Sequence, residues 1–219
     1  MGMTRRKWLG HCTALALAGM VVLPAMAQPA KSAAKHFILV VGDSLSAEYG
    51  LERGKGWVAL LDQRLVQDKQ PATVLNASIS GDTTSGGRSR LPALLKLHQP
   101  TIVIIELGGN DALRGLPLSS TRDNLLAMTR AAKAAGAKVL VVGMQVPPNY
   151  GRQYGDDFAA LFASVAKAED AALVPFLLKG VADVPNFEAL FQADRIHPKE
   201  QAHPTMLANV WVGLKPLLR

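Results

Sequence analysis

The chain has 219 residues, 24 Lys and Arg against 17 Asp and Glu, a net charge of +7, and a single cysteine. That length suits one domain with a well-buried core, and one cysteine excludes a disulfide framework. The basic residues are scattered among acidic ones without interleaved aromatics, which argues against a nucleic-acid groove.

From the N-terminus, Arg5, Arg6 and Lys7 precede an apolar stretch, Trp8 to Leu23, that ends in Ala25-Met26-Ala27. This is the pattern of a secretory leader cut after Ala27. His11 and Thr13 interrupt the stretch, which is short for a membrane anchor, and TRRKWL resembles a twin-arginine signal. The expectation is a leader over residues 1–27 and a single exported domain over residues 28–219, periplasmic or secreted. Cys12 leaves with the leader, and loss of Arg5, Arg6 and Lys7 brings the net charge from +7 to +4. So mild an excess permits only weak attraction to anionic surfaces or acyl carriers, with transient contact to lipid.

Five short apolar segments follow: Phe37 to Val41, Thr73 to Ala77, Ile102 to Leu107, Val139 to Gly143 and Leu173 to Phe176. The first, third and fourth are nearly continuous in Val, Ile and Leu, as expected of strands covered on both faces of a parallel sheet. Between them, Trp57, Val58, Leu61 and Leu65 mark one helical face, and Leu94 and Leu97 a second, short helix. A third helix starts at the capping hydroxyls of Ser119 and Ser120, buries Leu125, Leu126 and Met128, and stops at Gly136. A fourth runs from about Asp156 to Ala168 with Phe158, Leu161, Phe162 and Val165 inward, and the last from about Thr205 to Leu218. This alternation predicts a doubly wound α/β sheet with right-handed crossovers, in which ligands bind beyond the carboxyl ends of the strands.

The loops that leave those strand ends carry Gly42-Asp43-Ser44, Ser78-Ile79-Ser80-Gly81-Asp82, Gly108-Gly109-Asn110-Asp111 and Gln145-Val146-Pro147-Pro148. Taken singly, Gly42 and Gly81 read as turn glycines, Ser44 as a helix cap and Asn110-Asp111 as a pair tolerant of left-handed backbone. Near the far end stands Asp194-Arg195-Ile196-His197-Pro198. An aspartate three residues before a histidine can accept from one ring nitrogen, leaving the other to take a proton from a serine. A capping or surface role is the alternative for His197, and His203, with Glu200 three residues before it, is its nearest rival. A serine nucleophile needs such a base, and the backbone N–H groups of Ser44 and Gly81 with the Asn110 amide are candidate donors to an oxyanion. The G-x-S-x-G elbow of ordinary α/β-hydrolases is absent, because Ser46 stands two residues after Ser44.

Together Gly42 to Ser46, Gly81-Asp82, Gly108 to Asp111 and Asp194 to Pro198 resemble, in order, the motifs of the SGNH (GDSL) hydrolase family. NASISGDTTSGG, RLPALLKLHQP, ELGGNDALRGL and PPNYGRQYG are similar to its exported bacterial thioesterase, lysophospholipase and arylesterase members. The resemblance implies a three-layer α/β/α, flavodoxin-like fold with a five-stranded parallel sheet of order 2-1-3-4-5. It implies Ser44 as nucleophile, His197 as base, Asp194 as its orienting partner, and Gly81 and Asn110 completing the oxyanion hole. It points to Leu113, Leu116, Val146 and Pro147 for the acyl chain, with Arg114 near a phosphate or coenzyme A leaving group. Arg195 stands where the family often carries glycine, with an expected effect on rim charge, and Glu48 stands where a small residue is expected, with an effect on substrate preference. The chemistry needs no metal or cofactor, and H-E-x-x-H and clustered cysteines are absent. The expected substrate is an acyl ester or thioester. Two readings stand beside it, a non-enzymatic anion- or acyl-binding module and a sugar-ester deacetylase; the sequence sets no oligomeric state.

Overall fold

The computed structural model describes residues 36–219. The leader expected over residues 1–27, with Cys12, lies outside the described residues. Five strands, β1 (His36–Gly42), β2 (Ala72–Asn76), β3 (Ile102–Glu106), β4 (Lys138–Val142) and β5 (Ala172–Val174), alternate with helices. They form one parallel sheet in the order β2-β1-β3-β4-β5, the expected order.

The apolar runs explain which strands sit in the middle. Ile38 to Val41 in β1 and Ile102 to Ile105 in β3 expose no surface, and each such side chain contributes roughly 1.5–3 kcal/mol by leaving water. The outer strands β2 and β5 are shorter in apolar sequence and only partly buried. On one side of the sheet α1 (Trp57–Gln67) packs against α6 (His203–Leu214); on the other α2 (Thr84–His98), α4 (Leu118–Ala134) and α5 (Arg152–Ala168) lie in a row. Phe158, Leu161, Phe162 and Val165 of α5 face inward as their spacing predicts.

The helices depart from expectation where small residues break the apolar rhythm. α2 is a 15-residue helix that begins at Thr84, with Thr83 capping the Gly86 N–H, and it buries Leu91 and Leu95 while Leu97 is exposed. Its early turns hide because they contain Gly86 and Gly87. The second glycine is a contact surface, since a Cβ there would stand 2.3 Å from Leu107 Cδ1. α4 begins one residue before the serines expected to cap it: Pro117 is the cap position, and neither Ser119 nor Ser120 makes a side-chain capping bond. α5 starts at Arg152 rather than near Asp156, and α6 gives way at Lys215 to a 3₁₀ turn, Lys215–Leu218. A short helix not foreseen in the sequence, α3 (Gly109–Leu113), follows β3 directly.

Because every strand runs the same way, the loops leaving their carboxyl ends open on one rim. The chain between β5 and α6 closes over that rim through an antiparallel bridge between Phe191 and Pro198 that brackets Asp194 to His197. No helix among the described residues is long and apolar enough to cross a membrane.

Candidate active site

β1 delivers Ser44. Past Gly42 the chain turns at once, with the N–H groups of Ser46 and Ala47 donating to Asp43 O at 3.2 and 3.0 Å. The Asp43 carboxylate accepts from Leu45 N at 3.0 Å, so the backbone on either side of Ser44 is tied down while its hydroxyl projects from the turn.

The bracketed loop delivers the rest. Its turn is fixed by Gln192 N to His197 O at 2.8 Å and Arg195 N to Gln192 O at 3.0 Å. One oxygen of Asp194 accepts from the backbone N–H groups of Ile196 and His197, at 2.9 and 3.0 Å. The other lies 2.7 Å from His197 Nδ1, and His197 Nε2 lies 2.8 Å from Ser44 Oγ. Partial burial pushes the Asp194 carboxyl up, but the His197 ring bond, the two backbone donors and the ring's charge outweigh it and bring the group down to about 2. An acid that strong is a carboxylate across the working pH range and can only accept. Nδ1 therefore carries the ring proton, and Nε2 presents its lone pair to the Ser44 hydroxyl.

The candidate oxyanion donors approach from β2 and β3. Gly81 has φ +78°, a left-handed conformation that glycine adopts without strain. Its loop is joined to β1 by Ile79 N donating to Gly42 O at 3.0 Å, and to the loop after α3 by Arg114 Nη2 donating to Gly81 O at 2.7 Å. Asn110 sits on the first turn of α3, and its amide nitrogen donates to Asp43 Oδ2 at 3.1 Å. A carboxylate at that end of the amide fixes the nitrogen toward it, and the second N–H of the same nitrogen remains for a ligand. Asp111, next in sequence, is buried and accepts from Thr84 N and from the hydroxyls of Thr84 and Thr121, so it fastens α2 and α4 together. Of the four side chains expected to meet an acyl chain, Leu113 is 47% exposed, Leu116 and Val146 are half-buried, and Pro147 is exposed.

The rival histidine has another task. His203 is 1% exposed, its Nδ1 accepts from Trp57 N at 3.0 Å, and Glu200 pairs with Lys55 at 3.1 Å instead of orienting the ring. His203 thus joins the start of α6 to the start of α1. Burial pushes its pKa down, which suits a neutral ring accepting from a backbone N–H. Glu48 also turns out to be scaffolding: its carboxylate accepts from Gly54 N and Gly56 N at 2.8–3.1 Å and closes the loop before α1. Both Glu48 and Arg195 hold left-handed backbone, φ +60° and +56°, which accounts physically for small residues or glycine being expected there. Arg195 is exposed, as a residue altering rim charge must be.

Three participants went unread in the sequence. Glu106 ends β3 fully buried, opposite Gly42 in the register, with Ser46 Oγ donating to its Oε2 at 2.6 Å and Asp43 N at 3.4 Å. Burial, then the charge of Asp43, pushes its carboxyl well up, while burial brings Asp43 to about 6. Asp43 is the acid of the pair that holds Asn110, while the more deeply buried Glu106 is held by Ser46. Arg90 ties Asp82 to the carbonyls of Ala77 and Gly42, linking β1 to the Gly81 loop. Tyr49 lays its ring against His197, centroids 4.2 Å apart. The only signal for Glu106 was an acid closing an otherwise apolar strand; Tyr49 gave none.

Residues 40–204 match the GDSL-like Lipase/Acylhydrolase family. The chain belongs to that family. This GDSL hydrolase is an enzyme of the esterase and thioesterase type, and its fold and ordered motifs are those the sequence led us to expect. It is 50% identical over 205 residues to Esterase TesA of Pseudomonas aeruginosa, covering 94% of this chain and 99% of the relative. It is 41% identical over 188 residues to thioesterase 1/protease 1/lysophospholipase L1 of Escherichia coli, covering 86% and 88%. Among solved structures, the psychrotrophic esterase EstA from Pseudoalteromonas, inhibited by monoethylphosphonate, superposes with a TM-score of 0.78 at 37% identity, over 84% of this GDSL hydrolase and 98% of EstA.

Proposed function

We propose that this protein hydrolyses carboxylic esters and thioesters, including aryl esters, acyl-CoA and lysophospholipids, through an acyl-enzyme on Ser44. The observation that carries the reading is the unbroken relay from Ser44 Oγ to His197 Nε2 at 2.8 Å and from His197 Nδ1 to Asp194 at 2.7 Å. Ser44 attacks the acyl carbonyl as its proton passes to Nε2, and the carbonyl oxygen becomes an oxyanion held by the N–H groups of Ser44 and Gly81 and by the Asn110 amide. Nε2 then returns the proton to the departing alcohol or thiol. In the second half water attacks the acyl-Ser44 ester, losing its proton to Nε2, and as the adduct collapses Nε2 returns that proton to Ser44 Oγ and the acid is released. Leu113, Leu116, Val146 and Pro147 accompany the acyl chain. The names of the relatives, an esterase and a thioesterase with lysophospholipase activity, support the substrate range, and a binding module would leave the relay without a task.

The leader-like sequence of Arg5 to Ala27 supports an exported enzyme, periplasmic or secreted, that starts at Gln28. One experiment tests both statements: protein recovered from the cell envelope and medium is treated with a fluorophosphonate and analysed by intact and peptide mass spectrometry. A chain starting at Gln28 and labelled at Ser44 is expected. An unlabelled chain, or a label elsewhere, removes the serine mechanism, and an uncut N-terminus removes the export.

Asn110→Ala should lower kcat by about 10²- to 10³-fold, the range for losing one oxyanion donor. Turnover of a p-nitrophenyl ester measures it, and an unchanged kcat would take Asn110 out of the hole.

A further inference from the structure

Tyr49 is placed with more care than an exposed loop residue requires. Its N–H donates to Ser44 O at 3.4 Å, its carbonyl accepts from Gln192 Nε2 at 2.9 Å, and Gln192 N in turn donates to His197 O at 2.8 Å. The backbone that carries the ring is therefore fastened both to the nucleophile's turn and to the loop of the base. The ring leans on the imidazole at 4.2 Å with a 35° tilt, yet the residue remains 49% exposed. One part of this aromatic surface is used on His197, and a large part faces outward beside it.

The tetrahedral carbon formed on Ser44 has three further substituents, and the geometry separates them. The oxyanion turns toward the donors that follow β2 and β3. The leaving oxygen must lie within hydrogen-bond reach of His197 Nε2, because that nitrogen returns the proton. Whatever is attached to the leaving oxygen thus emerges next to the imidazole and the ring against it. Resting on the serine-hydrolase reading above, we propose that Tyr49 forms the leaving-group subsite and favours esters whose leaving group is a planar aromatic alcohol. An offset or edge-on contact between two aromatic rings adds about 3- to 10-fold to association beyond simple area burial. An alkyl leaving group of similar acidity gains no such contact.

The test compares kcat/KM for phenyl acetate with that for trifluoroethyl acetate, so that the acyl group is constant and intrinsic reactivity cancels between variants. Tyr49→Ala should lower the phenyl-to-trifluoroethyl ratio by about 3- to 10-fold, and Tyr49→Leu, which keeps apolar bulk without a π face, should lower it as well. Tyr49→Phe should preserve it. Equal losses on both esters, with the ratio unmoved, would make Tyr49 a support for His197 alone and overturn the proposal, as would no loss on either. Fluorophosphonate labelling keeps the two readings apart, because fluoride has no ring to stack. If the unsubstituted protein fails to label at Ser44, the serine mechanism falls; if it labels normally while the ratio stays fixed, only the subsite falls.

Discussion

Ser44→Ala and His197→Ala are each expected to lower kcat on the order of 10⁵- to 10⁶-fold, and the double substitution to lower it little further. The two groups share one proton through a 2.8 Å hydrogen bond, so removing either removes the same step. Without the hydroxyl, the ring can only assist water. Without the ring, the hydroxyl must attack with its proton still on. His197 is 16% exposed in its side chain and Ser44 lies in a surface turn, so neither truncation opens the core, and the melting temperatures should stay close to that of the parent. The measurement is single-turnover kinetics on a p-nitrophenyl ester for the three variants. Losses that multiply would mean that the groups act in separate steps, contrary to the mechanism.

Asp194→Asn should cost about 10⁴-fold in kcat while leaving the loop in place. The amide retains an oxygen for the N–H groups of Ile196 and His197, which Asp194 accepts at 2.9 and 3.0 Å, so the turn keeps its shape. What changes is the partner of Nδ1. Where the carboxylate could only accept, the amide nitrogen donates, and the ring answers by moving its proton to Nε2. That nitrogen then faces Ser44 without a lone pair to offer. Substrate affinity should change little, so KM stays nearly constant and kcat carries the loss. A loss below tenfold would show that His197 keeps its tautomer by other means.

Much of this was legible in the sequence. The Val, Ile and Leu runs of β1, β3 and β4 identify central strands because burial on both faces leaves no room for polar alternation, and the chemistry-bearing loops follow from where those runs stop. The spacing of Asp194 and His197 is local, and a three-residue separation on one short loop is enough to let a carboxylate reach an imidazole. Apart from the helix ends, the misreadings come from packing between segments distant along the chain. α2 looked short because Gly86 and Gly87 carry no apolar signal, although Gly87 is the point where the helix touches Leu107. Glu106 passed as the polar end of a strand, since its burial depends on the register that sets it opposite Gly42. His203 and Glu200 had the spacing of an orienting pair, and only the approach of α1 shows that Trp57 and Lys55 claim them. Tyr49 could not be matched to His197 at all, for no periodicity links two loops separated by most of the domain.

Ser44 lies in the turn that ends the first strand, and His197 lies on the last loop before the closing helix. A growing polypeptide therefore presents the Ser44 hydroxyl without the His197 ring beside it until synthesis is nearly finished and α6 has seated on α1. Under the proposed mechanism competence arrives with completion, so an unfinished copy is harmless to the acyl esters and thioesters around it.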